Sequence, residues 1–164
     1  SLEGIKSHTK YFRGISFLSC VSSSNTSSTY LCAAKNCFVS EREKSMNVAV
    51  IGASDKPDRY SYKAVKLLQE KGHAVYPVHQ RIKLIDGMPV FASINDIPNP
   101  IHTVSMYVAA DISDQLTDNI LGRSPRRIIL NPGAENPRLA IKAQAKGIKT
   151  IDACTLVMLR TGQF

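Results

Sequence analysis

A run of four apolar residues, Val48-Ala49-Val50-Ile51, is followed directly by Gly52. A continuous apolar run of this length, without polar alternation, is typical of a strand that is buried on both faces of a sheet. Such a strand needs a layer of helices on each side, because its two faces must both be covered. The run therefore predicts a central strand. The residues after Gly52 are expected to connect this strand to a helix.

Strand-like and helix-like segments alternate through the rest of the chain. Apolar runs predict four more strands, at 74–78, 103–108, 127–131 and 149–153. Helical spacing and capping residues predict helices at 61–71, at 111–121 and from Asn136-Pro137 to Gly147. Alternation of this kind implies parallel strands joined by right-handed crossovers. The predicted fold is α/β: a three-layer Rossmann-like domain with a mainly parallel five-stranded sheet and helices on both faces.

Two parts of this pattern carry more detailed expectations. The proline- and glycine-containing stretch 80–100 predicts a winding connection, with a short strand at 90–91 and a helical turn from Ser93. In the helix predicted at 111–121, Ile112, Leu116 and Ile120 repeat every four residues and are expected to face the core, with Gly122 ending the helix.

The residues before Met46 differ in composition from the rest. Residues 1–45 are rich in Ser and Thr and show no sustained period, which predicts a mostly disordered extension. Three origins stay open: an organellar transit peptide, a non-native extension, or a tail with its own partner. The folded domain is expected to span 46–164, because Met46 stands directly before the first strand.

Charge and cysteine usage exclude several classes of protein. The formal net charge is +8, but six Lys or Arg and three Glu precede Met46, which leaves about +5 on the remainder. This charge balance suits the binding of phosphorylated small molecules. Nucleic-acid binding is not predicted, because the sequence has no stripe of Lys and Arg with interleaved aromatic residues. The sequence contains no run of 18 apolar residues, so it does not predict a membrane span. The four cysteines show neither disulfide nor metal-ligand spacing, which favours a cytoplasmic location, or an organellar one if 1–45 is a transit peptide.

The connection after the first strand has the composition of a phosphate site. In doubly wound sheets the first strand-to-helix turn presents backbone amides and a helix N-terminus to phosphate oxygens. Gly52 permits close backbone approach, Ser54 and Ser61 carry hydroxyl donors, and Lys56 and Arg59 carry positive charge. The turn is therefore predicted to bind a pyrophosphate.

Two absences narrow the ligand of that turn. The dinucleotide fingerprint of three spaced glycines is missing, because Ala53, Lys56 and Pro57 stand at positions where its tight turn would require glycine. The second strand ends without the Asp or Glu that NAD enzymes place against the ribose, and it is followed by Arg81 and Lys83. A ribose that carries an extra phosphate fits this charge better, and both coenzyme A and NADP have one.

Several short motifs, in order and spacing, resemble those of the small stand-alone CoA-binding domain family. They are Val48-Ala49-Val50-Ile51-Gly52-Ala53-Ser54, Gly72-His73, Tyr76-Pro77-Val78, Asn131-Pro132-Gly133 and Gly147-Ile148. The family is similar to the nucleotide-binding domain of the succinyl-CoA synthetase α subunit. The resemblance covers nearly all of 46–164 and implies a five-stranded parallel sheet that binds coenzyme A.

The resemblance also implies roles for particular residues. It places Gly52, Ala53 and Ser54 on the pyrophosphate, with Lys56, Arg59 and Ser61 beside it, and Val78 against the adenosine. His79-Gln80 stands where the family commonly has Asn-Pro, and Arg81 is expected to take the 3′-phosphate. Asn131, Pro132 and Gly133 are expected to line the pantetheine side of the cleft.

No motif predicts catalytic residues. The chain lacks a nucleophile elbow, a P-loop and a His or Cys metal pair. Tyr62 and Lys66 have the Tyr-x-x-x-Lys spacing of some oxidoreductases, but they lie on the first predicted helix rather than over a nicotinamide site. Cys154 follows the last predicted strand, where a thiol is more often a small buried hydrophobe than a reactive group. We therefore expect a binding or regulatory module for coenzyme A or an acyl-CoA. The alternatives are an NADP-linked oxidoreductase and an accessory subunit of an acyl-CoA enzyme, and the assemblies considered are a homodimer and such an enzyme.

Overall fold

The computed structural model describes residues 45–164, which form an open five-stranded sheet with helices on both faces. The strands within these residues are β1 (Asn47–Ile51), β2 (Ala74–Val78), β3 (Leu84–Ile85), β4 (Met88–Pro89), β5 (Thr103–Met106), β6 (Arg127–Leu130) and β7 (Lys149–Asp152). The helices are α1 (Tyr60–Glu70), α2 (Ala110–Gly122), α3 (Pro137–Ala145) and α4 (Thr155–Thr161). The extension predicted at 1–45 lies outside the described residues, except for Ser45.

The main sheet has the order β2-β1-β5-β6-β7, and all its neighbouring strands are parallel. The predicted α/β fold with a five-stranded parallel sheet is therefore confirmed. β1 is central, as its apolar run predicts, and its residues from Val48 to Ile51 are at most 2% exposed. Successive side chains of β1 enter opposite core clusters, since Val48 and Val50 belong to one and Ala49 and Ile51 to the other.

Each face of the sheet has its own helices. Ile120 of α2 and Leu139 of α3 pack in the cluster that contains Ala49, whereas Val65 of α1 and Leu159 of α4 pack in the cluster that contains Val48. The chain therefore leaves β1 toward one face and β5 toward the other. None of the helices in the described part of the chain is long and apolar enough to cross a membrane.

The core face of α2 is the largest departure from the predicted pattern. Ile112 is 48% exposed, while Ser113 and Thr117 are buried in its place. The Ser113 hydroxyl donates to Ala110 O at 3.2 Å, and the Thr117 hydroxyl donates to Ser113 O at 2.9 Å. Because backbone carbonyls of the helix satisfy these hydroxyls, the two polar residues are buried at low cost. The prediction that Ile112 faces the core is wrong.

One strand end differs from the prediction, and one helix end agrees with it. β5 ends at Met106, two residues before the predicted 108, because Tyr107 begins the turn into α2. Gly122 is the last residue of α2, which confirms the prediction that it ends this helix, and the positive φ beyond it falls on Ser124, at 47°.

The connection after β2 contains a hairpin that was not predicted from the sequence. β3 and β4 pair antiparallel around Asp86 and Gly87, whose φ angles of 48° and 78° suit a two-residue hairpin turn. The short strand predicted at 90–91 is reduced to one bridge between Phe91 and Val78. The helical turn predicted from Ser93 is present as a 3-10 turn with a capping box.

Candidate functional site

The sheet has a topological switch point between β1 and β5. β1 lies between β2 and β5, and the helices that follow β1 and β5 cover opposite faces. The loops that leave the carboxyl ends of these two strands therefore diverge and open a crevice between them. In open α/β sheets this crevice is the usual place for a ligand.

Gly52 is the first residue of the connection that follows β1. Its φ is +82°, and a Cβ added there would lie 2.6 Å from Val108 Cγ1 and 3.2 Å from the backbone carbonyl of Tyr107. The turn after β1 therefore lies directly against the loop after β5, and only glycine permits both the conformation and the close approach. Sequence reasoning identified Gly52 but not its neighbours Tyr107 and Val108.

The turn after Gly52 is held to the end of β2. The amides of Gly52 and Ala53 donate to Val78 O at 3.0 and 3.3 Å, and the Lys56 amide donates to the Ser54 hydroxyl at 3.2 Å. Two of the amides that were predicted to meet a pyrophosphate are thus engaged within the fold. The donors that remain at this turn lie further along, toward the start of α1.

The N-terminus of α1 is open. Its N-cap, Arg59, makes no side-chain capping hydrogen bond, and no acidic residue lies in the first turn. Lys56 and Arg59 are exposed beside it, while Ser61 is 5% exposed. Since the first amides of a helix have no partner within the helix, this end attracts anions. By contrast, the Asn136 side chain caps α3 by accepting from Leu139 N at 3.0 Å.

Residues at the end of β2 form the next part of the edge. Val78 is 6% exposed, and the loop after it turns around His79. His79 Nδ1 accepts from the amides of Arg81 and Ile82, both at 3.1 Å. An accepting Nδ1 assigns the proton of the neutral ring to Nε2. His79 therefore shapes the loop, and Arg81 is presented on it as an exposed side chain.

Asn131 organises the other half of the edge. Its side-chain nitrogen donates to the Ser105 hydroxyl and to Met106 O, both at 3.0 Å, and its side-chain oxygen accepts from Thr155 N at 2.7 Å. This 2% exposed amide thus joins β5, β6 and the start of α4. Because these hydrogen bonds are internal, the Asn131 side chain does not face solvent. The exposed residues of this turn are Pro132 and Gly133.

A carboxylate closes the turn after β6. Glu135 Oε2 accepts from Gly133 N at 2.9 Å, and Gly133 has a φ of +86°. The amides of Glu135 and Gly133 lower the pKa of this carboxyl, because hydrogen bonds to the charged form stabilise it. Glu135 therefore stabilises the turn that precedes α3.

A buried polar group beneath this edge involves Tyr107, Ser105 and Thr155. The hydroxyls of Ser105 and Thr155 lie 2.7 Å apart, and the Tyr107 hydroxyl is nearby but forms no hydrogen bond of normal geometry with the described residues. Burial raises the pKa of Tyr107 to about 12. Cys154, a free thiol of intermediate exposure, precedes α4. No metal-binding group of three or more His, Cys, Asp or Glu occurs within 45–164.

The predicted site residues all lie at the carboxyl edge of the sheet, in two groups. One joins the turn after β1 to the end of β2: Gly52, Ala53, Ser54, Lys56, Arg59, Ser61, Val78, His79 and Arg81. The other is the turn after β6: Asn131, Pro132 and Gly133. The loop after β5 stands between them and was missed, because the strand order that places it there is not visible in the sequence.

An open doubly wound sheet, with a glycine turn and an open helix N-terminus at its switch point, defines a Rossmann-like domain. A sequence profile described as CoA binding domain matches residues 46–160 of this chain. The chain therefore belongs to the CoA binding domain family, as the sequence motifs indicate.

Individual relatives match parts of the chain. The Uncharacterized protein YneT of Bacillus subtilis is 34% identical over 65 residues, which cover 40% of this chain and 48% of that protein. The ADP-forming acetate–CoA ligase II subunit alpha of Pyrococcus furiosus is 38% identical over 62 residues, which cover 37% of this chain and 14% of that subunit. The matched segments thus span half or less of these relatives. A crystal structure of an uncharacterized protein aligns with a TM-score of 0.67 at 29% identity, covering 73% of this chain and 98% of its own.

Proposed function

We propose that residues 46–164 bind coenzyme A or an acyl-CoA along the carboxyl edge of the sheet, as a binding or regulatory module without catalysis of its own. The observation that supports this most is the open N-terminus of α1, directly after β1 at the switch point, in a chain of the CoA binding domain family. The pyrophosphate would lie against this helix end, between the Gly52 turn and the exposed Lys56 and Arg59.

The adenosine 3′-phosphate distinguishes coenzyme A from other candidates. In the proposed arrangement the adenosine lies against Val78 and its 3′-phosphate meets Arg81. We expect coenzyme A to raise the melting temperature more than NADP does, and dephospho-CoA to raise it less than coenzyme A. Equal increases in melting temperature with all three ligands would argue against recognition of the 3′-phosphate. No increase with any of them would argue against the proposed function.

A matched pair of arginine variants tests the phosphate site. Arg59→Ala removes a charge beside the open end of α1 and is expected to weaken coenzyme A binding by about tenfold, a typical loss for one charged hydrogen bond. Arg160→Ala removes the same charge from the last turn of α4, at the opposite end of the strands, and is expected to leave binding unchanged. Titration calorimetry on both variants checks this, and an unaltered affinity in Arg59→Ala would count against the site.

A second candidate is an accessory subunit of an acyl-CoA enzyme. The similarity to a subunit of acetate–CoA ligase favours it, although the match covers 14% of that subunit. If the chain works in this way, affinity purification at native concentration is expected to recover an acyl-CoA enzyme in stoichiometric amount. Recovery of a monomer or a homodimer of this chain alone would favour the stand-alone module.

The compartment is also a proposal. The free thiol of Cys154 and the cysteine pattern fit a reducing compartment. We propose the cytoplasm, or an organelle if residues 1–45 act as a transit peptide. Fluorescent fusions of 1–164 and 46–164 distinguish the two, since a transit peptide requires only the longer form to enter the organelle.

A further inference from the structure

The strand order sets the direction in which a bound coenzyme A would run. With the pyrophosphate at the turn after β1 and the adenosine at the end of β2, the rest of the molecule must extend the other way, over β5 and β6. Neighbouring strands lie about 4.8 Å apart, so the turn after β6 is about 10 Å from the turn after β1. The pantetheine arm is longer than this distance, so it is long enough to bring the thiol end, which carries the acyl group, to Gly133 and Glu135.

The carboxylate of Glu135 is fixed at that place. It accepts from Gly133 N at 2.9 Å, which orients this exposed carboxylate against the turn. None of the salt bridges between described residues involves Glu135, and the nearby Arg138 pairs with Asp114 at 3.4 Å. Glu135 thus contributes an unneutralised negative charge at the expected position of the acyl group.

This arrangement affects acidic acyl groups in two ways. A carboxylate at the end of an acyl chain would meet a like charge at short range. It would also find the Gly133 amide, a backbone donor at this turn, already occupied by Glu135. An uncharged acyl group has neither difficulty.

We propose that Glu135 makes the site select acyl-CoAs with an uncharged acyl group over those whose acyl group ends in a carboxylate. The inference rests on the proposed binding of coenzyme A and concerns only the acyl end of the ligand. It assigns Glu135 a role in specificity, distinct from the phosphate contacts at the start of α1.

The test compares acetyl-CoA with succinyl-CoA by titration calorimetry. At low salt the unmodified protein is expected to bind succinyl-CoA about fivefold more weakly than acetyl-CoA, as expected for one partly screened like-charge contact. Glu135→Gln keeps an acceptor for the Gly133 amide but removes the charge, and it is expected to bring the ratio of the two dissociation constants close to one. The discrimination by the unmodified protein should also shrink as salt is raised, a readout that does not depend on any variant.

Glu70→Gln is the matched control. It removes one negative charge from an exposed position at the opposite end of α1 and is expected to leave the ratio of dissociation constants at its original value. Equal binding of both esters by the unmodified protein, tighter binding of succinyl-CoA, or an unchanged ratio in Glu135→Gln would each overturn the role of Glu135. If coenzyme A binds normally in those cases, the proposed function stands; if neither coenzyme A nor its esters bind, both proposals fall.

Discussion

Gly52 combines a left-handed backbone conformation with contact against the loop after β5. Its φ of +82° disfavours any residue with a Cβ, and the space where a Cβ would point is filled by Val108 and by the Tyr107 backbone. The sequence predicted a close backbone approach at Gly52, but to a phosphate rather than to a neighbouring loop, and it did not predict the left-handed conformation. The second requirement depends on the pairing of β1 with β5, which places residues 55 positions apart side by side.

Replacing Gly52 with alanine is expected to destabilise the fold strongly. The left-handed conformation costs a non-glycine residue roughly 1–2 kcal/mol. The contact with the Tyr107 backbone adds strain, which brings the expected loss in the free energy of unfolding to about 2–4 kcal/mol. Urea denaturation of Gly52→Ala measures this loss.

Gly87→Ala separates the two contributions. Gly87 has a similar φ of +78°, but nothing lies within 4 Å of the place where its Cβ would be. Its substitution is therefore expected to cost only about 1–2 kcal/mol. If the two variants lose the same free energy of unfolding, the close approach at Gly52 contributes nothing.

Tyr107 makes stability depend on pH in the alkaline range. Burial raises its pKa to about 12 from the ordinary value of 10.0, so the neutral phenol is favoured in the folded protein. This contribution is fully present below pH 10, because the phenol is then neutral in both states. It is lost as the pH rises from about 10 to about 12, and amounts to about 2–3 kcal/mol in total.

Tyr107→Phe isolates this effect. The variant is expected to match or slightly exceed the unmodified protein in stability at neutral pH, because the hydroxyl that it loses has no normal hydrogen bond in the described structure. Between pH 10 and 12 it should lose less stability than the unmodified protein does. Denaturant unfolding of both proteins across that range checks the expectation, and parallel pH profiles would contradict it.

At the scale of elements, the β3–β4 hairpin braces the edge of the sheet beside the loop of His79 and Arg81. Ile85 is 1% exposed and joins the core cluster of α1, while the Asp86 carboxylate accepts from Tyr62 and pairs with Lys66 at 2.9 Å. The ion pair is exposed and contributes little to stability. Burial of Ile85 therefore holds the hairpin in place.

Ile85→Ala is expected to lower the free energy of unfolding by about 2–4 kcal/mol, the usual range for a buried isoleucine. The neighbouring Leu84 is 61% exposed, so Leu84→Ala should cost less than about 0.5 kcal/mol. Chemical denaturation of both variants gives the comparison. Equal effects would mean that the hairpin is not held by its buried side chain.

The elements that the sequence predicted well share strong local signals. α1 and α3 end near glycines with positive φ, at Gly72 and Gly147, and α3 begins with the Asn136-Pro137 pair. Their bounds agree with the prediction within one or two residues. These signals are local because capping and left-handed glycines act on the backbone next to them.

Other elements depended on contacts that no local pattern contains. α4 was not predicted, and its first amide is capped by Asn131, 24 residues earlier in the chain. Ile112 was placed in the core by its spacing, but Asn136 donates to the Ser113 hydroxyl and helps to bury Ser113 instead. In both cases the deciding interaction is a hydrogen bond between residues that are far apart in the sequence.

At the scale of the whole molecule, the predicted site residues come together because all the parallel strands end at the same edge. The sequence was sufficient to identify which turns carry glycine, hydroxyl and basic residues. It did not contain the order β2-β1-β5-β6-β7, which places the loop after β5 between the two predicted groups. Tyr107 and Val108 were missed for that reason, and only the resemblance to a family linked the turn at Asn131 with the turn at Gly52.

Asn131 connects the two sides of this edge, since it bonds to Ser105 on β5 and to Thr155 at the start of α4. Asn131→Ala leaves several buried polar groups without partners and is expected to cost about 2–4 kcal/mol of unfolding free energy. Ser105→Ala is expected to cost about 1–2 kcal/mol. Because the two residues share one hydrogen bond, the double variant should lose about 1 kcal/mol less than the sum of the single variants. A double-mutant cycle by urea denaturation tests this coupling, and strictly additive losses would mean that Asn131 caps α4 independently of β5.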